Sequence, residues 1–253
     1  MIKPKTCPLP GKIRVFLFLL ALLAGCAGLD SEPSSPAALL KEGKGYLRVK
    51  NYESARTVFN QILEEAPDSK ERVLALRLLA DSYYKDELYE ESKLSYRKFR
   101  ELYPTHRFAA HALYFQAMSD YRQIDIASRD QTRTHNALED FNRLITDFPK
   151  SRFTKKAVPK VKECITEIAL NLLEIGKYYY RTQAFQAAIG RFKTLLENYP
   201  DQKFADEAIF LLGESYFREQ NFKIARKYYR HLLKKFPTSE FAQDSRKRLR
   251  KKS

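Results

Sequence analysis

An all-α fold built from stacked helix pairs is predicted by three features of this 253-residue sequence. A proline-terminated ending recurs five times: ILEEAP at Pro67, FRELYP at Pro104, LITDFP at Pro149, LLENYP at Pro200 and LLKKFP at Pro237. Strand punctuation is sparse, with 8 Gly in all and long stretches rich in Leu, Ala, Glu, Lys and Arg. Small and aromatic residues recur at fixed distances before each proline. Self-similarity of this kind marks an array of one supersecondary unit, each copy burying its apolar face against its neighbours.

The first 25 residues stand apart from the array. Lys3, Lys5, Lys12 and Arg14 make a basic leader, Val15–Leu23 is an unbroken apolar run, and Leu23-Ala24-Gly25-Cys26 closes it with small residues before a cysteine. Positive, apolar, small is the order of a secretory signal peptide. The run is well short of the roughly 20 residues that cross a bilayer as a helix. Leu-Ala-Gly-Cys resembles the lipobox of bacterial lipoproteins, in which the cysteine is acylated and becomes the new N-terminus. Residues 1–25 are therefore expected to be a lipoprotein signal peptide and Cys26 the lipidation site. Residues 26–35 are expected to be a polar tether that holds the body off the membrane. Each buried methylene contributes about 0.8 kcal/mol, and stable anchoring takes more than one chain. Ala27 stands where many inner-membrane lipoproteins of Gram-negative bacteria have aspartate, which points to the outer membrane.

Helical patterning begins near Pro36. Counting back from each proline gives two helices per unit. The first unit has Leu39, Gly43 and Tyr46, then Ala55, Phe59 and Ile62. The second has Leu76, Ala80 and Tyr83, then Ser92, Tyr96 and Phe99. The fourth has Leu172, Gly176 and Tyr179, then Ala188, Phe192 and Leu195, and the fifth Ile209, Gly213 and Tyr216, then Ala225, Tyr229 and Leu232. Glycine or alanine in the first helix lets the second cross closely, the aromatics plug the gap to the next unit, and proline ends the second helix. This pattern resembles the tetratricopeptide repeat. Its implied fold is a right-handed superhelix whose concave face is lined by the first helices.

The prolines are 37, 45, 51 and 37 residues apart, so both inner gaps hold insertions. In the third unit the first helix is expected at about Phe108–Arg122, with Gln116 and Asp120 at positions that are apolar elsewhere. A polar loop from Ile124 to Thr134 precedes a helix over Asn136–Asp147. Lys155–Glu167 extends the fourth unit's first helix into a rod, although it contains Pro159. Ser239–Lys252 is expected to be a helix that caps the array. The expected division is 36–153 for units 1–3 and 154–253 for units 4–5 with the cap: five helix pairs plus a capping helix.

Composition excludes most chemistry. Cys7 leaves with the leader and Cys26 is lipidated, so Cys164 is alone and no disulfide framework exists. Cys164 reads as a small buried residue on its helix. The 4 His residues have no metal-ligand spacing, no glycine-rich phosphate loop is present, and no catalytic residue or cofactor is expected. Net charge is +15. Export argues against nucleic acid, and the one dense cluster, Arg246, Lys247, Arg248, Arg250, Lys251 and Lys252, reads first as a solvated helix end, with a lipid- or partner-binding patch as the alternative.

A binding groove is the better proposition. Carried over from tetratricopeptide units, the concave wall comprises Leu40, Lys44, Leu47 and Arg48 in the first unit. In the second it comprises Arg77, Asp81, Tyr84 and Lys85, and in the third His111, Tyr114, Met118, Tyr121 and Arg122. Aromatics and cations suit an extended peptide with aromatic side chains and a terminal carboxylate.

Lipobox, tether, five units and two insertions together resemble the BamD/ComL (YfiO) family of outer-membrane lipoproteins. RDQTRTHNALEDFNRLITDFPKSRF, Arg129–Phe153, looks like that family's loop after the third unit's first helix, and RFKTLLENYPD, Arg191–Asp201, like its fourth unit. The resemblance implies a non-catalytic scaffold of the machinery that assembles β-barrel proteins. Its N-terminal groove would bind unfolded barrel precursors. Its C-terminal units, with Asp140 and Arg143, would hold the periplasmic domain of the barrel-forming subunit beside other assembly lipoproteins. The competing expectation is a tetratricopeptide envelope lipoprotein for pilus or secretin assembly, or for peptidoglycan and cell-division work.

Overall fold

The computed structural model describes residues 35–250. The leader, Cys26, residues 27–34 of the tether, Lys251 and Lys252 lie outside them. Eleven helices and no strand occur among the described residues: α1 Pro36–Arg48, α2 Tyr52–Glu65, α3 Glu71–Lys85, α4 Tyr89–Leu102, α5 Ala109–Tyr121, α6 Thr132–Asp147, α7 Arg152–Arg181, α8 Phe185–Asn198, α9 Ala205–Arg218, α10 Phe222–Lys235 and α11 Ala242–Arg250. Each helix packs on the one before and the one after it, as in a tetratricopeptide array of five pairs and a cap.

Glycine holds three of the five pairs close for a steric reason. A Cβ placed on Gly43 would sit 2.4 Å from the Phe59 ring, one on Gly176 2.5 Å from Phe192, and one on Gly213 2.8 Å from Tyr229. Each aromatic of the second helix thus lies on the bare backbone of its own unit's first helix. The same rings also reach the next unit, since Phe59 clusters with Ala75, Leu78 and Leu79, and Phe192 with Ala208 and Leu212. Ala80 and Ala117, at the matching positions of the other two units, are fully buried.

Four of the five pairs turn in one way. Lys50, Glu87, Gln183 and Gln220 adopt positive φ of 58–62°. The amide after each donates back to the tyrosine that ends the first-helix pattern: Asn51 to Tyr46, Leu88 to Tyr83, Ala184 to Tyr179 and Asn221 to Tyr216, at 2.9–3.0 Å. This 6→1 bond closes the helix with a left-handed residue. In a side chain other than glycine that conformation costs about 1 kcal/mol.

The third pair departs. Its helix α6 starts at Thr132, four residues before the expected Asn136, where polar side chains bond the preceding loop to the first turn. Asp130 accepts from the Thr132 amide at 3.0 Å, and the Thr134 hydroxyl donates to the Gln131 side chain at 2.6 Å. Gln131 in turn donates to the carbonyls of Ile126 and Arg129, and Asn171 of α7 donates to the Ala127 carbonyl at 2.6 Å. The loop is stapled to α7 through its own backbone.

Helix α7 is the expected rod, 30 residues or about 45 Å long at 1.5 Å per residue. It runs through Pro159, which deletes one backbone bond and costs about 3 kcal/mol in a helix interior. Burial of Phe153, Ala157, Cys164, Ile168 and Ala169 along one side offsets that cost. Burial also pushes the Cys164 thiol up to about 12, which makes it inert. The expected division after Phe153 falls in the first turn of α7, so continuous helix joins the two halves.

Candidate functional site

The sequence places Arg77 and Asp81 one turn apart on α3, facing His111 on α5. Asp81 accepts a 2.6 Å bond from the Tyr96 hydroxyl, pairs with Arg77, and lies 3.6 Å from His111 Nε2. Burial pushes His111 below its ordinary 6.5, outweighing the Asp81 charge that raises it. Its imidazole is therefore neutral at pH 7. Burial first, and then Asp81, raise the Tyr96 pKa well above 10.0, so the phenol stays a donor. His111 Nδ1 and Arg77 Nε are buried without a hydrogen-bond partner. Such atoms are uncommon and costly in a closed core.

These two side chains line a cavity of about 560 Å³ with Arg107, Phe108, Ser151, Arg152 and Phe153. Three guanidinium groups and two phenyl rings meet there. Arg77 lies 4.6 Å from the Phe108 ring centre, Arg107 4.7 Å from the same ring, and Arg152 4.9 Å from Phe153. Phe153 also packs edge-on to His111 at 5.4 Å and tilted against Tyr114 at 5.3 Å. Arginine matches a carboxylate with two parallel hydrogen bonds. The chemistry suits an aromatic residue beside a carboxylate.

Arg107, Phe108, Arg152 and Phe153 were not among the expected wall residues. A signal existed: PTHRF at 104–108 and PKSRF at 149–153 repeat Pro-x-x-Arg-Phe where one unit passes into the next.

The other expected residues divide. Tyr84, Tyr114 and Tyr121 are packed into the array: Tyr84 meets Phe115 of the next unit at 4.9 Å, and within the third unit Tyr114 meets Phe141 at 6.0 Å and Tyr121 meets Phe141 at 6.3 Å. Lys160 of α7 lies over the Tyr121 ring at 4.4 Å and donates to its hydroxyl, and Glu163 accepts from that hydroxyl. Arg122 reaches the Tyr84 hydroxyl at 3.4 Å. Leu40 and Met118 are core residues, only 9% and 6% exposed, so they offer a ligand little surface. Leu47 packs against the first core cluster, and Lys44, Arg48 and Lys85 stay outside the cavity.

Asp140 and Arg143 lie elsewhere, in a polar groove of about 600 Å³ between α4 and α6 with α5 as its floor. The unusual Gln116 and Asp120 form that floor. Arg100 donates to Gln116 at 2.9 Å, and Gln116 donates to Asp140 at 2.8 Å. Lys93 pairs with the fully buried Asp120 at 2.7 Å. Burial raises the pKa of both Asp120 and Asp140 despite these partners. Among the described residues, no group of His, Cys, Asp and Glu could hold a metal, and no helix is long and apolar enough to cross a membrane.

The family model YfiO, described as "Outer membrane lipoprotein", matches residues 33–229. Three similar proteins carry the name outer membrane protein assembly factor BamD. That of Caulobacter vibrioides is 28% identical over 76% of this chain and 65% of its own length, just under two thirds. That of Rickettsia prowazekii is 29% identical over 70% of each chain, and that of Haemophilus influenzae 27% over 79% of this chain and 81% of its own. Likeness to solved structures is distant. The TPR2AB domain of yeast Sti1 aligns with a TM-score of 0.43 at 14% identity, covering 81% of this chain and 78% of that one.

Proposed function

This chain belongs to the YfiO family of outer membrane lipoproteins, and from that premise we propose that it is a lipid-anchored, non-catalytic scaffold of outer-membrane protein assembly. Its signal peptide is removed, Cys26 is acylated, and the body faces the periplasm from the inner surface of the outer membrane. The cavity of Arg77, Arg107, Arg152, Phe108 and Phe153 receives the C-terminal strand of an unfolded barrel precursor, with a terminal carboxylate on the arginines and an aromatic side chain on the rings. The groove of Asp140 and Arg143, with α7 beside it, holds the periplasmic domain of the barrel-forming subunit, alongside other assembly lipoproteins.

The observation that carries this reading is the meeting of three guanidiniums and two phenyl rings around buried, unpartnered Arg77 Nε and His111 Nδ1. Tethering supplies local concentration, so the groove works with modest affinity. The test is fluorescence anisotropy with a labelled synthetic peptide that ends in an aromatic residue and a free carboxylate. Amidating that carboxylate, or making Arg152→Glu, is expected to weaken binding about tenfold, equivalent to about 1.4 kcal/mol. Arg152 is exposed, so the variant keeps the fold. Equal binding of all three combinations would sink the assignment of the cavity.

A further inference from the structure

The second helix of the fifth unit carries charge unlike any other helix in the array. Between Phe222 and Arg250, ten lysines and arginines stand against two acids, Glu240 and Asp244, and α10 itself contains no acid. Lys223, Lys227, Arg230 and Lys234 are spaced i, i+4, i+7 and i+11, which is one face of a helix. All four are exposed, on the side opposite the buried Ala225, Tyr229 and Leu232. They form a straight stripe about 16 Å long at 1.5 Å per residue. The adjoining α11 adds exposed Arg246 and Arg250.

Nothing in the fold accounts for the stripe. None of its four cations makes an ion pair or hydrogen bond among the described residues, whereas Arg56 of α2 pairs with Asp86 and Lys93 of α4 with Asp120. Like charges four apart on a helix are mutually destabilising. Much of this region also lies past residue 229, where the family match ends.

The chemistry of the stripe decides the kind of partner. Protein interfaces are depleted of lysine and anchored by aromatics and arginine. Three of the four stripe residues are lysine, and none of the exposed large apolar side chains lies on α10 or α11. Lysine acts as a hydrated point charge on a flexible stem. A flat, single-sign, lysine-rich stripe fits the diffuse negative potential of a phospholipid surface.

We infer that α10 and α11 form a second membrane contact, binding anionic phospholipid headgroups. Together with the acyl group at Cys26, which this inference takes from the proposed function, the contact lays the array along the bilayer. An array held at one end alone would project from it.

The test uses the mature lipidated chain in vesicles of phosphatidylcholine alone or of phosphatidylcholine with phosphatidylglycerol. A water-soluble amine reagent then labels exposed lysines, read residue by residue by mass spectrometry. Labelling of Lys223, Lys227 and Lys234 is expected to fall about tenfold on the anionic vesicles. It should recover at about 1 M salt, where the Debye length is about 3 Å. Lys70, exposed and two or more units away from α10 and α11 along the array, serves as the reference. The quadruple variant K223E/K227E/R230E/K234E should lose the protection of Lys235 and Lys247 while keeping its helicity. Retention on neutral vesicles reports the acyl anchor and lysine protection reports the stripe, so the two can fail separately. Equal labelling on both vesicle types overturns the inference. So does protection that appears only when an acidic protein partner is added, which would assign the stripe to that partner.

Discussion

Replacing Arg248 with alanine should undo the end of the array. Glu214 of α9 is buried, 5% exposed, and accepts three bonds: 2.6 Å from the Tyr229 hydroxyl and 2.7 and 2.6 Å from Arg248 Nε and Nη2. Those last two bonds tie α11 to the fifth unit, and Arg248 also lies 4.5 Å over the Phe217 ring. Removing one partner of a buried pair costs about 3–5 kcal/mol, because the remaining charge stays buried. The Arg248 side chain is 30% exposed, and solvent screening lowers the expected loss to about 2–3 kcal/mol. In a linear array the loss is local. Chemical denaturation should show the destabilisation, and hydrogen exchange should show protection falling in α9–α11 with α1–α6 unchanged. Replacing the pair and the buried hydroxyl that bonds to it with apolar side chains, E214L/Y229F/R248M, should recover most of the loss. A change below about 0.5 kcal/mol in R248A, the level of an ordinary surface substitution, would refute the reasoning. Uniform loss of protection along the array would refute it too.

Four further outcomes are expected. Gly176→Val puts a branched side chain where even a Cβ sits 2.5 Å from Phe192 and should destabilise by about 1–3 kcal/mol. Gly190→Ala, with nothing within 4 Å, should stabilise by up to about 1 kcal/mol, both read by thermal unfolding. Gln183→Gly relieves a left-handed backbone at φ 62° and should stabilise by about 1 kcal/mol in urea titrations. Asp140→Asn should stabilise at pH 7, since burial raises the Asp140 pKa above its ordinary 3.8 and the charged form is disfavoured in the folded protein. The advantage should shrink as pH falls through that raised value and vanish below 3.8, where both side chains are neutral. A gap that widens on acidification would contradict the assignment.

The array was legible because its signals are local and repeated. Five prolines count the units, and Gly43, Gly176 and Gly213 mark where one helix must approach another. Pro159 did not mislead the reading of α7, since the apolar side of the rod continues on both sides of it. The start of α6 was harder. Asp130, Gln131 and Thr134 look like loop composition, and only their side-chain bonds in the structure show the first turn beginning at Thr132. The polar floor was visible as the odd pair Gln116 and Asp120, but their partners Lys93, Arg100 and Asp140 are remote in sequence and meet only through stacking. The cavity was half legible: Arg77 and His111 follow from helix positions, whereas Arg107 sits in an inter-unit turn and Arg152 is the first residue of α7, just past it, where the repeat's helix pattern does not reach. Arg248 looked like its neighbours in a basic tail, and nothing local reveals that it is the one facing Glu214.

The most direct test of the scaffold reading is affinity purification of the lipidated chain from detergent-solubilised membranes at native expression. The expected result is a barrel-forming outer-membrane protein as the main partner, lost or much reduced when Cys26 is replaced. Recovery of a secretin, a pilus component or a peptidoglycan enzyme, with no barrel-forming protein, would contradict it.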